Sequence, residues 1–220
     1  MRLPGGRMEV LYCNGGFNRK MEQIRIAKVR HLSSAEIAAC GLFAALMAAG
    51  AYIKIAIPIG PFVVNFTLQI FVALLAGFLI GPRLGAFSVL IYLAVGLMGV
   101  PVFAAGGGPA YLLRPTFGFL LGFVFAAWIT GWLSGLKSGM QPGWSVFSAF
   151  WGMMSYYVSG VLYFYLMTNY VLSGTRGVAS VSWRTVLVAY FFSTVVGDFV
   201  LCVLAAALAR RVRPAISYRL

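Results

Sequence analysis

The chain has 220 residues, 61% hydrophobic and only 10% charged, and its 17 Lys and Arg against 4 Asp and Glu leave a formal charge of +13. A soluble domain of this size runs out of interior before it can hide so much apolar surface, so the chain is an integral membrane protein. The apolar runs are long and continuous rather than alternating every second residue, which selects helices over a closed barrel.

Residues 1–30, MRLPGGRMEVLYCNGGFNRKMEQIRIAKVR, are polar and basic and lack the short apolar core of a cleavable signal. They predict a basic cytoplasmic tail over 1–32, with Met8 or Met21 as alternative starts. Six apolar segments follow, at roughly 34–56, 66–81, 83–101, 115–136, 144–171 and 184–209, within a membrane domain spanning 33–213 and ending in a short cytoplasmic tail at 214–220. The second and third are short against the about 20 residues a span needs and are parted only by Gly81-Pro82-Arg83. Gly and Pro also mark the other junctions, in PIGP at 58–61, AGGGPA at 105–110, GMQPG at 139–143 and LSGTRG at 172–177. The expected architecture is all-α, a bundle of six transmembrane helices.

The basic residues orient that bundle. With the N-terminus inside, thirteen Lys and Arg fall on the cytoplasmic side: seven in the tail, Arg83, Lys137, Arg210, Arg211, Arg213 and Arg219. Four remain outside, Lys54, Arg114, Arg176 and Arg184, so both termini are expected in the cytoplasm. The same distribution accounts for the net charge without nucleic acid, since a basic tail sets topology or attracts anionic lipid. Cys13, Cys40 and Cys202 show no metal-ligand spacing, and two lie within apolar helices, where a thiol is a small packing residue.

Asp198 is the only aspartate, set in 190-YFFSTVVGDFVLCVLAAALARR-211 and about 18 Å from Arg210 along a helix. A charge at that depth costs about 2.5–3.5 kcal/mol on insertion scales, so it faces the bundle interior and has a partner. It can be a structural partner, a relay or a ligand contact. A relay needs a chain of ionisable groups, and the only other acid in a span is Glu36, at a helix start. Lys54 sits at the end of an apolar helix in AYIKIAIPIGP, where it either snorkels or binds. Arg114 precedes Pro115, which reads as a helix start, so either helix dipole and guanidinium converge on one anion site or the side chain snorkels. The run 106-GGGP-109 lacks the Lys-Ser/Thr of a phosphate loop and reads as a flexible outer loop able to close over something. In 38-AACGLFAALMAAGAY-52, small residues four apart (Ala44/Ala48, Ala45/Ala49) form a smooth ridge on which another helix can pack.

Together these stretches resemble the BioY family, the biotin-binding S-components of energy-coupling-factor (ECF) vitamin transporters. The likeness covers about residues 35–135 and returns at 190–214, strongest in 67-TLQIFVALLAGFLIGPRLGAFSVLIYLAVGLMGVPVFAAGGG-108 and in GDFVLCVLAAALARR. It implies a cell-membrane substrate-capture subunit that is not an enzyme, has no cofactor of its own, and docks on a transmembrane scaffold subunit and two cytosolic ATPases that use ATP. By the same resemblance the docking face is Ala44, Ala45, Ala48 and Ala49, and Asp198 holds the biotin ureido ring. A carboxylate suits a cyclic urea independently, since it only accepts and the urea offers two N–H donors. The family's lysine three residues after the aspartate is Leu201 here, its GPTGGY reads 114-RPTFGF-119, and its P-x-T reads 65-NFT-67.

The expected pocket is apolar with a few fixed polar groups. Asp198, Arg114, Gln69 and Lys54 are its polar candidates, and Tyr92, Tyr111 and Phe117 its aromatic ones, with Arg114 supplying the cation that Leu201 lacks. A sulfur-containing acid such as lipoate is the alternative substrate. A channel or scaffold is the alternative class, and a membrane enzyme is disfavoured by one aspartate and no intramembrane histidine.

Overall fold

The computed structural model describes residues 33–59, 62–137, 139, 141–176 and 181–217, so the N-terminal tail expected over 1–32 lies outside the described residues. The chain runs through helix α1 (Ser34–Tyr52), strands β1 (Lys54–Ile59) and β2 (Phe62–Thr67), and helices α2 (Gln69–Leu97), α3 (Phe117–Gly135), α4 (Pro142–Leu166), α5 (Trp183–Val186) and α6 (Val195–Ser217). α1, α2 and α3 are each long and apolar enough to cross a membrane, and Trp183–Phe192 with Val195–Pro214 is a fourth such run, bent by 41°. Large apolar side chains stand exposed along these helices, among them Leu42, Phe125, Trp128, Trp132 and Val158, as a lipid-facing surface requires.

α2 contains the second and third expected segments. At Gly81 the backbone turns to φ 83° and ψ 177°, and Pro82 follows. A Cβ built on Gly85 would lie 3.0 Å from the Gly77 nitrogen, although eight residues of straight helix span about 12 Å. The two halves, 69–80 and 82–97, therefore fold back on each other as a helical hairpin. With the halves counted separately, and the bent run ending in α6 counted once, the described residues form six main helices.

Glycine makes this packing possible. A Cβ on Gly77 would meet the Ala127 carbonyl oxygen at 2.3 Å, and one on Gly131 would meet the Pro82 nitrogen at 2.6 Å. The turn of α2 thus sits backbone-to-backbone on the C-terminal half of α3, an approach that only small residues permit. α4 packs on the other side of α3, and α6 touches both α2 and α4, which closes the bundle.

α4 carries four serines on an otherwise apolar helix. Their hydroxyls turn back onto carbonyls of the preceding turn, Ser145 to Gln141, Ser148 to Trp144, Ser155 to Gly152 and Ser159 to Ser155, at 2.7–3.0 Å. Each hydroxyl is thereby satisfied within its own helix. Free Cys40 and Cys202 are buried among packed side chains.

Three expectations are corrected. The chain is not all-α, because 54–59 and 62–67 pair as an antiparallel hairpin from Lys54↔Thr67 to Ile59↔Phe62. The alternating Ile residues of KIAIPI and the Val, Phe and Thr of FVVNFT prefer extended backbone, and Pro58 is tolerated because both strands are edges. Lys54 therefore begins a strand instead of ending a helix. Pro115 does not open a helix either: α3 starts at Phe117 after Thr116, and Arg114 ends a short 3₁₀ turn, Pro109–Leu113. The run 105–110 is locally ordered by backbone pairing in this structure. Phe103 and Gly106 pair, Gly108 donates to the Gly96 carbonyl at 2.8 Å, and Gly106 and Gly108 adopt φ of 114° and 97°.

Candidate functional site

One cavity gathers polar groups from most of these elements. β2 supplies Asn65, Phe66 and Thr67, the start of α2 supplies Gln69, and the following loop Ala104 and Tyr111. Thr116 and the first turns of α3 add Phe119, Leu120 and Phe123, α4 adds Tyr156, and the last stretch adds Tyr190, Thr194 and Asp198.

The aromatic members form a connected wall. Tyr156 stacks on Phe123 with centroids 5.0 Å apart and planes 13° from parallel, and Tyr190 stacks on Phe119 at 5.4 Å and 28°. Such rings fix one another and present flat apolar faces.

Asp198 is 3% exposed and lies in the first turn of α6. The chain enters α6 through a wide π-helical turn, Leu187–Phe192, and the Thr194 hydroxyl reaches back 2.8 Å to the Tyr190 carbonyl. A π-turn with an intruding hydroxyl is a recognised cause of a helix bend. The break exposes a fresh helix N-terminus beside the carboxylate, and that positive end favours a negative group. The Tyr157 hydroxyl donates to Oδ2 of Asp198 and lies 2.8 Å from Thr194 Oγ1. Among the described residues no Lys or Arg pairs with Asp198, and none donates to its Oδ1.

Gly197, immediately before Asp198, has its own reason. A Cβ there would lie 2.8 Å from the Phe66 ring. The glycine is thus the seat on which the hairpin rests its aromatic side chain at the cavity.

Gln69 is the second fixed polar group, 2% exposed. Its Nε2 donates to the Tyr92 hydroxyl at 2.7 Å and to the Met47 carbonyl at 3.4 Å, and its Oε1 accepts from Thr67 at 3.3 Å. Tyr92 in turn donates to the Val102 carbonyl at 3.3 Å. This chain of bonds ties β2, both halves of α2 and the loop after it around one amide.

Three side chains anchor that loop from outside. Lys54 donates to the Ala104 carbonyl, Tyr52 to the Pro101 carbonyl, and Tyr163 to the Leu112 carbonyl at 2.6 Å. Arg114 is exposed, between the lining residues Tyr111 and Thr116, with its guanidinium 5.1 Å from the Tyr111 ring centre. Burial raises the Tyr111 phenol above its ordinary value, with the Arg114 charge opposing, so it stays a neutral donor near pH 7.

Of the seven residues expected at the site, Asp198, Gln69 and Tyr111 line the cavity. Tyr92 stands behind Gln69, and the Phe117 ring stands behind Tyr111 at 6.4 Å. Lys54 and Arg114 are exposed at the loop. Sequence reasoning missed Phe66, Tyr156, Tyr157, Tyr190 and Thr194. Only Thr194 and Tyr190 had a usable signal, since they precede Asp198 by one and two helical turns. The others reach the site through tertiary packing.

A model of the BioY family matches residues 21–218. A protein of Lysinibacillus sphaericus described as a probable biotin transporter is 37% identical over 183 residues, 83% of this chain and 89% of its own. A biotin transporter of Rhodobacter capsulatus is 34% identical over 175 residues, 78% and 90% of the two chains. The crystal structure of the S-component for biotin from an ECF-type ABC transporter superposes with a TM-score of 0.63 at 25% identity, covering 84% of this chain and 95% of that one.

The seat at Gly197 has a measurable consequence. Gly197→Ala should destabilise the protein in detergent by about 1–3 kcal/mol through overpacking, and Phe66→Ala in the same chain should recover most of the loss. Equal melting temperatures for Gly197→Ala and wild type would show that the ring does not rest there.

Proposed function

The chain belongs to the BioY family, and on that premise we propose that it captures biotin in the cavity around Asp198, as the S-component of an ECF-type transporter. It is a multi-pass membrane protein whose task is binding, not catalysis. The observation that carries the ligand assignment is Asp198 itself: a buried carboxylate in the cavity wall, with one oxygen held by Tyr157 and no described cation beside it. The carboxylate lines the cavity with Oδ1 accepting from no described side chain, and a ureido N–H supplies a donor for it. The dithiolane ring of lipoate, the alternative substrate, has no donor to offer there. The stacked wall of Phe119, Phe123, Tyr156 and Tyr190 suits the bicyclic ring and aliphatic chain.

The two exposed cations take the other end of the ligand. Arg114 flanks the lining residue Tyr111, and Lys54 is anchored to Ala104, so both put positive charge near the cavity. A guanidinium suits the biotin carboxylate well. It supplies what Leu201, packed against the core, cannot.

The orientation follows from the same charges. Lys54 and Arg114 share the cavity end, whereas Arg83 is exposed in the turn of α2, whose Pro82 meets Gly131 in the C-terminal half of α3 that leads to Lys137. The positive-inside bias supports a cavity open to the outside, six spans and both termini in the cytoplasm. Residues 1–32 then form a basic cytoplasmic tail, 33–213 the membrane domain and 214–220 a second short tail. Docking on the ECF scaffold, with two cytosolic ATPases hydrolysing ATP, falls to α1. There Ala45 and Ala49 are exposed beside Gly41, and Ala44 and Ala48 are half-buried. That small-residue ridge supports close helix approach.

The ligand assignment predicts that Asp198→Asn, which keeps shape but turns one acceptor into a donor, weakens biotin binding by about 1.5–3 kcal/mol or more. Calorimetry on purified protein checks it, and unchanged affinity rejects the assignment. Arg114→Gly should weaken biotin strongly but biotinamide, its uncharged analogue, much less. Leu201→Lys on top of Arg114→Gly should then recover part of the affinity, and equal biotin affinity for wild type and Arg114→Gly would end the cation's role. For assembly, Ala45→Trp or Ala49→Trp should leave biotin binding intact yet abolish co-purification with the scaffold subunit. Full complex yield from both variants would remove this face from consideration.

A further inference from the structure

Tyr157 makes the one hydrogen bond that any described side chain gives Asp198, yet its ring is not among the cavity-lining residues. The ring borders an apolar groove on its other side, with Val158, Leu162 and Phe191. It is held there at 3% exposure, edge-to-face against Tyr156 and Phe191 with both centroids 5.0 Å away. A phenol has a single proton. The carboxylate is the strongest acceptor in reach, so that proton goes to Oδ2, and Thr194 Oγ1 at 2.8 Å can only donate to the phenol oxygen or to the Tyr190 carbonyl. The rotation of the carboxylate is thus set from α4, by a residue outside the cavity lining.

We propose that Tyr157 is a positioning and specificity-determining residue: by donating to Oδ2 it takes one of that oxygen's two acceptor sites and leaves Oδ1 as the stronger acceptor offered to a ligand. The inference rests on biotin being the ligand of this cavity. Its chemical consequence is selectivity between two ring types. A cyclic urea is neutral, and one N–H to Oδ1 serves it well. A cyclic guanidinium, as in 2-iminobiotin, is cationic and gains most from a carboxylate whose two oxygens both accept fully in a parallel pair of N–H bonds. With one acceptor site of Oδ2 already taken, that oxygen is the weaker partner, so the bidentate pairing loses more than the single urea bond and the urea is favoured.

The test measures affinities of biotin and 2-iminobiotin for wild type, Tyr157→Phe, Thr194→Val and Asp198→Asn in detergent at neutral pH, with thermal unfolding as a check on folding. In Tyr157→Phe the biotin affinity should fall about tenfold while 2-iminobiotin holds or gains, so the ratio between them shifts by an order of magnitude or more. Thr194→Val, a milder change, should shift the ratio in the same direction by less. A merely structural tyrosine would weaken both ligands equally, and an unchanged ratio in both variants with wild type binding biotin overturns the proposal alone. Biotin binding that Asp198→Asn leaves untouched, or no binding by wild type, overturns the ligand assignment together with it.

Discussion

Burying a carboxylate among helices in a membrane costs several kcal/mol unless donors surround it, and the architecture around Asp198 answers that cost piece by piece. A bend at Thr194 brings a helix N-terminus to the carboxylate, and Tyr157 arrives from α4 to donate to one oxygen. The remaining oxygen is left to the cavity. Two helices, α4 and α6, are thereby tied to each other at one charge. A structural aspartate would be satisfied on both oxygens by the protein. This one accepts a single bond from the described side chains, on Oδ2, and lines the cavity, which is the arrangement the proposed ligand assignment needs.

Close backbone contact makes room for this arrangement. The halves of α2 span only about 18 and 24 Å, and packing on α3 through Gly77, Gly85 and Gly131 compensates for their shortness. In lipid no hydrophobic force drives helices together, so contact area and backbone proximity carry the association. The first half of α2 ends where that seam lies and begins at Gln69. The glycine seam at one end therefore holds the amide network of Gln69, Tyr92 and Val102 in place at the other.

The six helical segments were legible because hydrophobic length is set by the membrane and reads out one residue at a time. The hairpin was not, because 54-KIAIPI-59 is as apolar as the helix before it, and hydropathy does not distinguish strand from helix. Asp198 was legible because a lone acid in an apolar run has no cheap explanation. Gln69 and Tyr111 came from motif and composition. Tyr157 was invisible for the opposite reason: it lies forty-one positions from Asp198 and is one of eleven tyrosines, with nothing local to set it apart. Arg114 shows how motif reading can mislead about cause. Its charge was read as joining a helix dipole, but α3 begins at Phe117, and the residue instead ends a 3₁₀ turn over Tyr111.

The body and the cover of the cavity are held by different kinds of force. The body depends on buried glycine contacts and stacked rings, which break only with large loss of packing. The cover is joined by side-chain donors to backbone carbonyls, from Lys54, Tyr52 and Tyr163, two of them on exposed residues, and by one ring seated on a glycine. Such bonds exchange readily with water and are each worth about 0.5–1.5 kcal/mol. Under the proposed biotin assignment, ligand entry requires the cover to part while Asp198 keeps its orientation, and this separation allows it. Tyr157 and Thr194 hold the carboxylate from the body, so its orientation does not depend on the hairpin and loop.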